Sequence, residues 1–280
     1  MTDIVGTTVR FRFTKHGKVR FTSHRDVARL WERALRRADL QVVYSEGFSP
    51  RPRMAFGLAL PTGDESDGEY VDIRLIDEPD QLPLLCAHLT DVLPDGIAVI
   101  AAEVIPPGTP SLQEAVGACT WTAEIDGPTL GTPADGSSRL VANDPLAPLR
   151  SASTDAVLSE SLRLAAQRLD NARAAVSATL ARNELPIERE RKGKPQVVDL
   201  RPAIQELTVE EVGADRALTL TMVLATRPAS FRPEEVIDQL DPSWRRLRAC
   251  RKHQWITDGD PWREPVPLVV PSSRAEERAS

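Results

Sequence analysis

The sequence predicts an α+β protein built from two tandem ferredoxin-like α/β sandwiches, each an antiparallel sheet with helices on one face. Three observations carry that expectation. Residues 9–13, VRFRF, alternate strictly between apolar and basic side chains, the period of a half-buried strand. Val27, Leu30, Trp31, Ala34, Leu35 and Ala38 recur at spacings of three and four, the period of one helical face. Segments then follow in the order strand, helix, strand, strand, helix, strand, and the order recurs in the second half.

In the first segment Val9, Phe11 and Phe13 share one side, Arg10 and Arg12 the other. A turn at 15–18 leads to a second alternating run, 19–22. If the two runs pair, Arg10, Arg12 and Arg20 share the solvent face of a sheet. Ser23 is a helix N-cap with Asp26 at the third position, in the manner of a capping box. The helix that follows shows Arg25, Arg29, Arg33, Arg36 and Arg37 opposite its apolar stripe, with Glu32 placed to pair with some of them. Short strands are expected at 42–44 and 54–58 and a longer one at 69–75. Residues 79–93 have helical character, and a strand at 97–105 closes a first domain drawn at 1–110.

A second domain, 111–258, opens with a strand at 119–125. Residues 127–154 are rich in Gly, Pro, Ser, Ala and Asp and are expected as a flexible insertion. A long helix is marked by the seam Leu158, Leu162, Ala165, Leu169, Ala172 and Val176. Strands are expected at 186–190, 197–200, 204–209 and 217–225, the last two joined by a turn at Gly213-Ala-Asp215. A short helix at 231–240 and a strand at 246–256 complete the domain, and 259–280 are expected as a disordered tail.

Composition narrows the class. With 280 residues, 41% hydrophobic and 27% charged, the chain suits two globular domains and is not disordered. No apolar run approaches the roughly 18 residues needed to cross a bilayer, so no membrane role is expected. The start has no secretion-signal pattern. Cys86, Cys119 and Cys250 are odd in number and scattered, which points to a reduced, cytoplasmic setting. The net charge of -6 hides an asymmetry: residues 1–56 carry 12 Lys and Arg against 5 Asp and Glu, or +7, and the remainder carries -13. Such a chain can present a basic face at an acidic pI.

The stretch YSEGFSPRPRM, residues 44–54, concentrates the chemistry. Pro50 and Pro52 fix their own φ and push Ser49 and Arg51 toward extended geometry. Arg51 and Arg53, two apart, then point the same way, while Tyr44 and Phe48 offer ring faces. A preordered cationic loop loses less entropy on gripping an anion, and a phosphate backbone with a base stacked on Phe48 fits it. The alternative is a Pro-rich crossover with Phe48 in the core and the arginines merely solvated. The helix start at Ser23 and His24 adds backbone N–H groups and a positive dipole end, and His24 can donate to phosphate or transfer a proton.

Other motifs carry less. The basic runs at 189–194 and 245–253 read as an electrostatic track or as solubilising tips and edges. Gly193-Lys194 lacks the rest of a P-loop. The acidic run at 64–69 lacks calcium-loop spacing and reads as a charged turn before a strand. No metal or cofactor site follows from the spacing of His16, His24, His88, His253 and the cysteines.

The motifs RFTSHRD, ERALRRA, YSEGFSPRPRMAF and LPTGDESDGEYVDI, within residues 8–105, resemble the radical-SAM-linked protein family, bacterial proteins of uncharacterised function. The second half is similar in layout and in the segment RKGKPQVVDLRP. The resemblance implies partnership with a radical-SAM enzyme, and for actinobacterial members with a ribonuclease of the E/G type, hence work on RNA. This chain has no Cys-x3-Cys-x2-Cys triplet and cannot itself hold the iron–sulfur cluster of such an enzyme. Many relatives carry histidine where this chain has Arg51, a change that keeps a cation and removes proton transfer.

The expected function is therefore an RNA-binding accessory protein without catalytic activity of its own. Lys18, Arg20, Ser23, His24, Arg25, Arg29, Tyr44, Phe48, Arg51 and Arg53 would form the nucleic-acid-binding surface. Two alternatives stay open: a metal-independent ribonuclease with His24 or His16 as base, and a protein–protein adaptor whose arginines meet an acidic surface.

Overall fold

A computed structural model describes residues 6–126, 154–191, 193–212 and 217–268. Residues 127–153 of the expected insertion, the turn at 213–215 and residues 269–280 lie outside the described residues. The protein is α+β, with a mainly antiparallel multi-stranded sheet and five α-helices among the described residues. No helix among them is long and apolar enough to cross a membrane. The chain forms two compact units, one of Met1–Thr120 with Cys250–Ser280, the other of Trp121–Ala249.

The first unit opens with β1 (Thr7–Lys15), a 3-10 turn (Gly17–Phe21) and α1 (His24–Arg37). Then come β2 (Met54–Phe56), β3 (Glu65–Leu75), α2 (Leu82–Val92), β4 (Val99–Ile105) and the short α3 (Leu112–Ala115). β1 lies between β3 and β4, antiparallel to both, with Phe11 opposite Val71 and Ala102. β2 pairs antiparallel with β3 from Met54–Ile73 to Phe56–Val71. The alternation in β1 sends Val9, Phe11 and Phe13 into a core shared with Val71, Ile73 and Leu75 of β3. The stripe on α1 covers them with Val27, Trp31, Ala34 and Leu35, and α2 adds Cys86 and Leu89. Trp31 lies 6.0 Å from the Phe11 ring and 5.2 Å edge-on from that of Phe13.

The other side of β1 differs from the expectation of a solvent face. Arg10 and Arg12 are buried, not exposed. Arg10 sits directly opposite Asp72 and grips its carboxylate with bonds of 2.7 and 2.9 Å. Arg12 donates to Glu264 and to the Val266 carbonyl and lies over the Tyr70 ring. Residues 259–268, expected within the tail, thus bring Glu264 and a buried Val266 onto this face. The run at 19–22 forms the 3-10 turn rather than a partner strand, because buried Lys15 captures the carbonyls of Arg20 and Thr22. The acidic run at 64–69 is not a turn: residues from Glu65 onward are β3, and Asp64, Glu65, Ser66 and Glu69 are buried.

The second unit takes in the later part of β5 (Val116–Asp126) and the long α4 (Thr154–Leu180). It continues with β6 (Pro186–Arg191), β7 (Lys194–Asp199), β8 (Ile204–Val212), β9 (Ala217–Ala225), α5 (Pro233–Leu240) and the start of β10 (Arg245–Ile256). β6 and β7 form a hairpin that turns at Gly193, where φ of +74° favours glycine. β9 lies between β5 and β8. Arg189, in the basic run of the hairpin, grips Glu235 bidentately and covers the Phe231 ring, so it serves packing within the unit.

Candidate nucleic-acid interface

The stretch between α1 and β2 is a hairpin, and its geometry follows from its prolines and its one glycine with positive φ. Tyr44 and Pro52 bridge across it, the Ser45 N–H donates to the Arg51 carbonyl at 2.8 Å, and the Arg51 N–H donates to Ser45 Oγ at 3.1 Å. At the base, the Arg53 N–H reaches the Val43 carbonyl and the Arg74 N–H reaches that of Arg53. Gly47 turns the tip at φ +120°. Phe48, beside it, is 110% exposed, which removes the reading that places it in the core. Arg51 and Arg53 are exposed, and Tyr44 is 45% exposed.

α1 begins beside the end of that hairpin: the His24 ring meets Phe56 of β2 edge-on at 5.2 Å. Ser23 caps the helix, its Oγ accepting from the Asp26 N–H and donating to the Asp26 carboxylate at 2.7 Å. That hydroxyl bond holds Asp26 below the usual carboxylate range, with Arg29 adding to it. Arg29 pairs with Asp26 at 3.0 Å. The helix start therefore already has an anion of its own, and Ser23 is a cap rather than a free ligand. Arg36 donates to the Glu32 carbonyl, not to its carboxylate. Among the described residues no carboxylate lies within ion-pair distance of Arg25, Arg33, Arg51 or Arg53, and all four are exposed.

The 3-10 turn places Lys18 in solvent but draws Arg20 inward, where it faces Glu65 at 3.5 Å and stacks on Phe21 at 4.7 Å. Of the expected residues, then, His24, Arg25, Arg29, Tyr44, Phe48, Arg51 and Arg53 share the hairpin and the helix that abuts it. Arg20 and Ser23 are engaged internally.

Beneath the helix start lies a polar centre that sequence reading missed. Arg251 of β10, only 2% exposed, holds Glu69 with bonds of 2.6 to 3.0 Å and the Leu58 carbonyl at 2.7 Å. Burial works against its charge, and Glu69 and Cys119 together more than offset that, so its pKa is raised. Burial lowers that of Lys15, against the pull of Glu69 and Asp64. The signal was present: Glu69 continues the inward series Val71, Ile73, Leu75 at period two. The cavity here, lined by Phe13, Lys15, His24, Phe56 and Glu69, measures about 20 Å³, room for a water or two. A nucleobase does not fit it.

A family model described as an uncharacterised protein conserved in bacteria (DUF2344) matches residues 8–233. The chain belongs to that family. Its matched range includes every exposed cation named above. A comparison with curated proteins finds no match.

Proposed function

We propose that the protein is an RNA-binding accessory factor that serves a processing or modifying enzyme, its two units being tandem ferredoxin-like sandwiches. One observation carries the binding reading: two exposed arginines in the hairpin and two on the helix before it have no carboxylate within ion-pair distance among the described residues, and the hairpin tip offers a fully exposed phenylalanine. Unpaired guanidinium groups bind phosphate at little desolvation cost, and an exposed ring stacks on any base. The element order strand, helix, strand, strand, helix, strand in the first half, which the second half repeats once the separate β6–β7 hairpin is set aside, supports the tandem reading. The resemblance to radical-SAM-linked proteins supports a radical-SAM enzyme or an E/G-type ribonuclease as the partner.

The test is fluorescence anisotropy with a labelled single-stranded RNA across a salt series. Affinity should fall steeply with salt. Replacing Arg25, Arg33, Arg51 and Arg53 together by alanine should lower the log–log slope by about 0.7 for each phosphate that is no longer neutralised. A flat salt response, or a slope unchanged in the variant, sinks the reading. RNA incubated with the protein and a chelator should stay intact; cleavage that disappears in His24→Ala would put the ribonuclease in its place.

A further inference from the structure

We propose that His16, Asp67 and Cys250 form a binding site for a divalent transition metal, zinc in the first instance, with one coordination position left open. The residues come from three parts of the first unit: the end of β1, the start of β3, and β10. One ligand atom from each lies within 4.8 Å of the others. His16 Nε2 is 3.0 Å from Asp67 Oδ1, and Cys250 Sγ is 3.6 Å from the same oxygen. Zinc bonds of about 2.0–2.1 Å to N and O and about 2.3 Å to S, at tetrahedral angles, place ligand atoms roughly 3.3–3.6 Å apart. Two of the three separations are thus already close to what the ion needs, and the third, between His16 and Cys250, is no more than 4.8 Å.

The surroundings fit a metal site as well as the ligands do. Asp67 presents Oδ1 to the cluster while Lys252 Nζ pairs with Oδ2, which fixes the carboxylate. His16 turns Nδ1 toward Glu65 Oε2 at 3.9 Å, so a small ring movement would let Nδ1–H donate to that carboxylate once the metal takes the place of the proton on Nε2. Glu65 is itself held by the Gly17 N–H at 2.9 Å. A thiolate with an imidazole selects zinc, cobalt or iron over magnesium and calcium. The thiolate and Asp67 supply the two negative charges a dication needs, while Glu65 faces Arg20 and Lys252 stays on the outer oxygen of Asp67. All three ligand residues are partly exposed, so an ion can enter and a water can complete the shell, as in zinc sites that keep an open position. On binding, the Cys250 S–H bond breaks, sulfur keeps the electron pair as the bond to the metal, and the proton leaves to solvent.

The full-length protein, reduced and stripped with a chelator, is titrated with Co²⁺. The expected result is one cobalt per chain, tetrahedral ligand-field absorption, a thiolate-to-cobalt charge-transfer band and release of one proton, all displaced by Zn²⁺. Cys250→Ser should abolish the charge-transfer band, and His16→Ala, at a partly exposed position, should weaken cobalt binding more than about 100-fold. Glu65→Gln should weaken it about 10- to 100-fold, and Cys86→Ser should change nothing. Absence of the band in the native protein, its survival in Cys250→Ser, or unchanged affinity in His16→Ala overturns the proposal. Each readout is independent of RNA, so this site and the arginine surface stand or fall separately.

Discussion

Two sets of arginines in the first unit are under opposite physics. Arg10, Arg12 and Arg251 have side chains no more than 3% exposed, and each meets a carboxylate: Asp72, Glu264 and Glu69. Arg25, Arg33, Arg51 and Arg53 are exposed and meet none among the described residues. A buried guanidinium must be paired, because its desolvation is tolerable only when a carboxylate and hydrogen bonds replace the water. An exposed one keeps its hydration and remains available to a polyanion. The positive charge of this unit thus divides into a structural share and an exposed share, the latter being the proposed RNA surface, and the partner carboxylate is the criterion.

The largest effect that separates the shares is Glu69→Ala. It removes the carboxylate that neutralises buried Arg251 and should lower unfolding stability by about 3–5 kcal/mol in denaturant titration. A loss below about 1 kcal/mol would blur the distinction. Phe48→Ala should act in the opposite way, with stability unchanged and RNA binding weakened by about 1–3 kcal/mol. Unchanged affinity in that variant would restrict the interface to its arginines. Ser23→Ala removes the cap of α1 and should cost about 1 kcal/mol, read as a lower thermal midpoint. A loss near zero would show Asp26 capping the helix alone.

The smallest effect concerns pH and belongs to the structural share. Burial alone would raise the Glu264 carboxyl, but His253 and Arg12 hold it below its ordinary value. A group depressed on folding adds stability that is complete above its unfolded pKa and is lost as pH falls through the folded one. Glu264 should therefore contribute in full above about pH 4.3 and less below it. In an acid titration of stability, Glu264→Gln should show a shallower decline than the native protein. An identical acid limb would remove Glu264 as a source of the pH dependence.

Much of the fold was legible in residues near one another. The stripe on α1, its Ser23 cap and the period-two runs of β1 and β3 appear where periodicity places them, since each depends on a few neighbours. The exposed hairpin arginines were legible too, from prolines that hold the strand extended. What misled was alternation without knowledge of cover. Arg10 and Arg12 read as solvent-facing because alternation alone does not show that Asp72 lies opposite Arg10 or that Glu264 and Val266 return to Arg12. Residues 64–69 read as a charged turn because their partners, Arg251 and Lys252, lie far along the chain.

By itself the sequence determined most of the helices and strands, though not the 3-10 turn at 17–21 or the start of β3, and that positive charge collects in the first 56 residues, because period and composition are local properties. Which of those cations are held inside and which remain free was decided by tertiary structure alone. The neutralising carboxylates stand 62 residues from Arg10, 252 from Arg12 and 182 from Arg251, and only folding brings them within bonding distance.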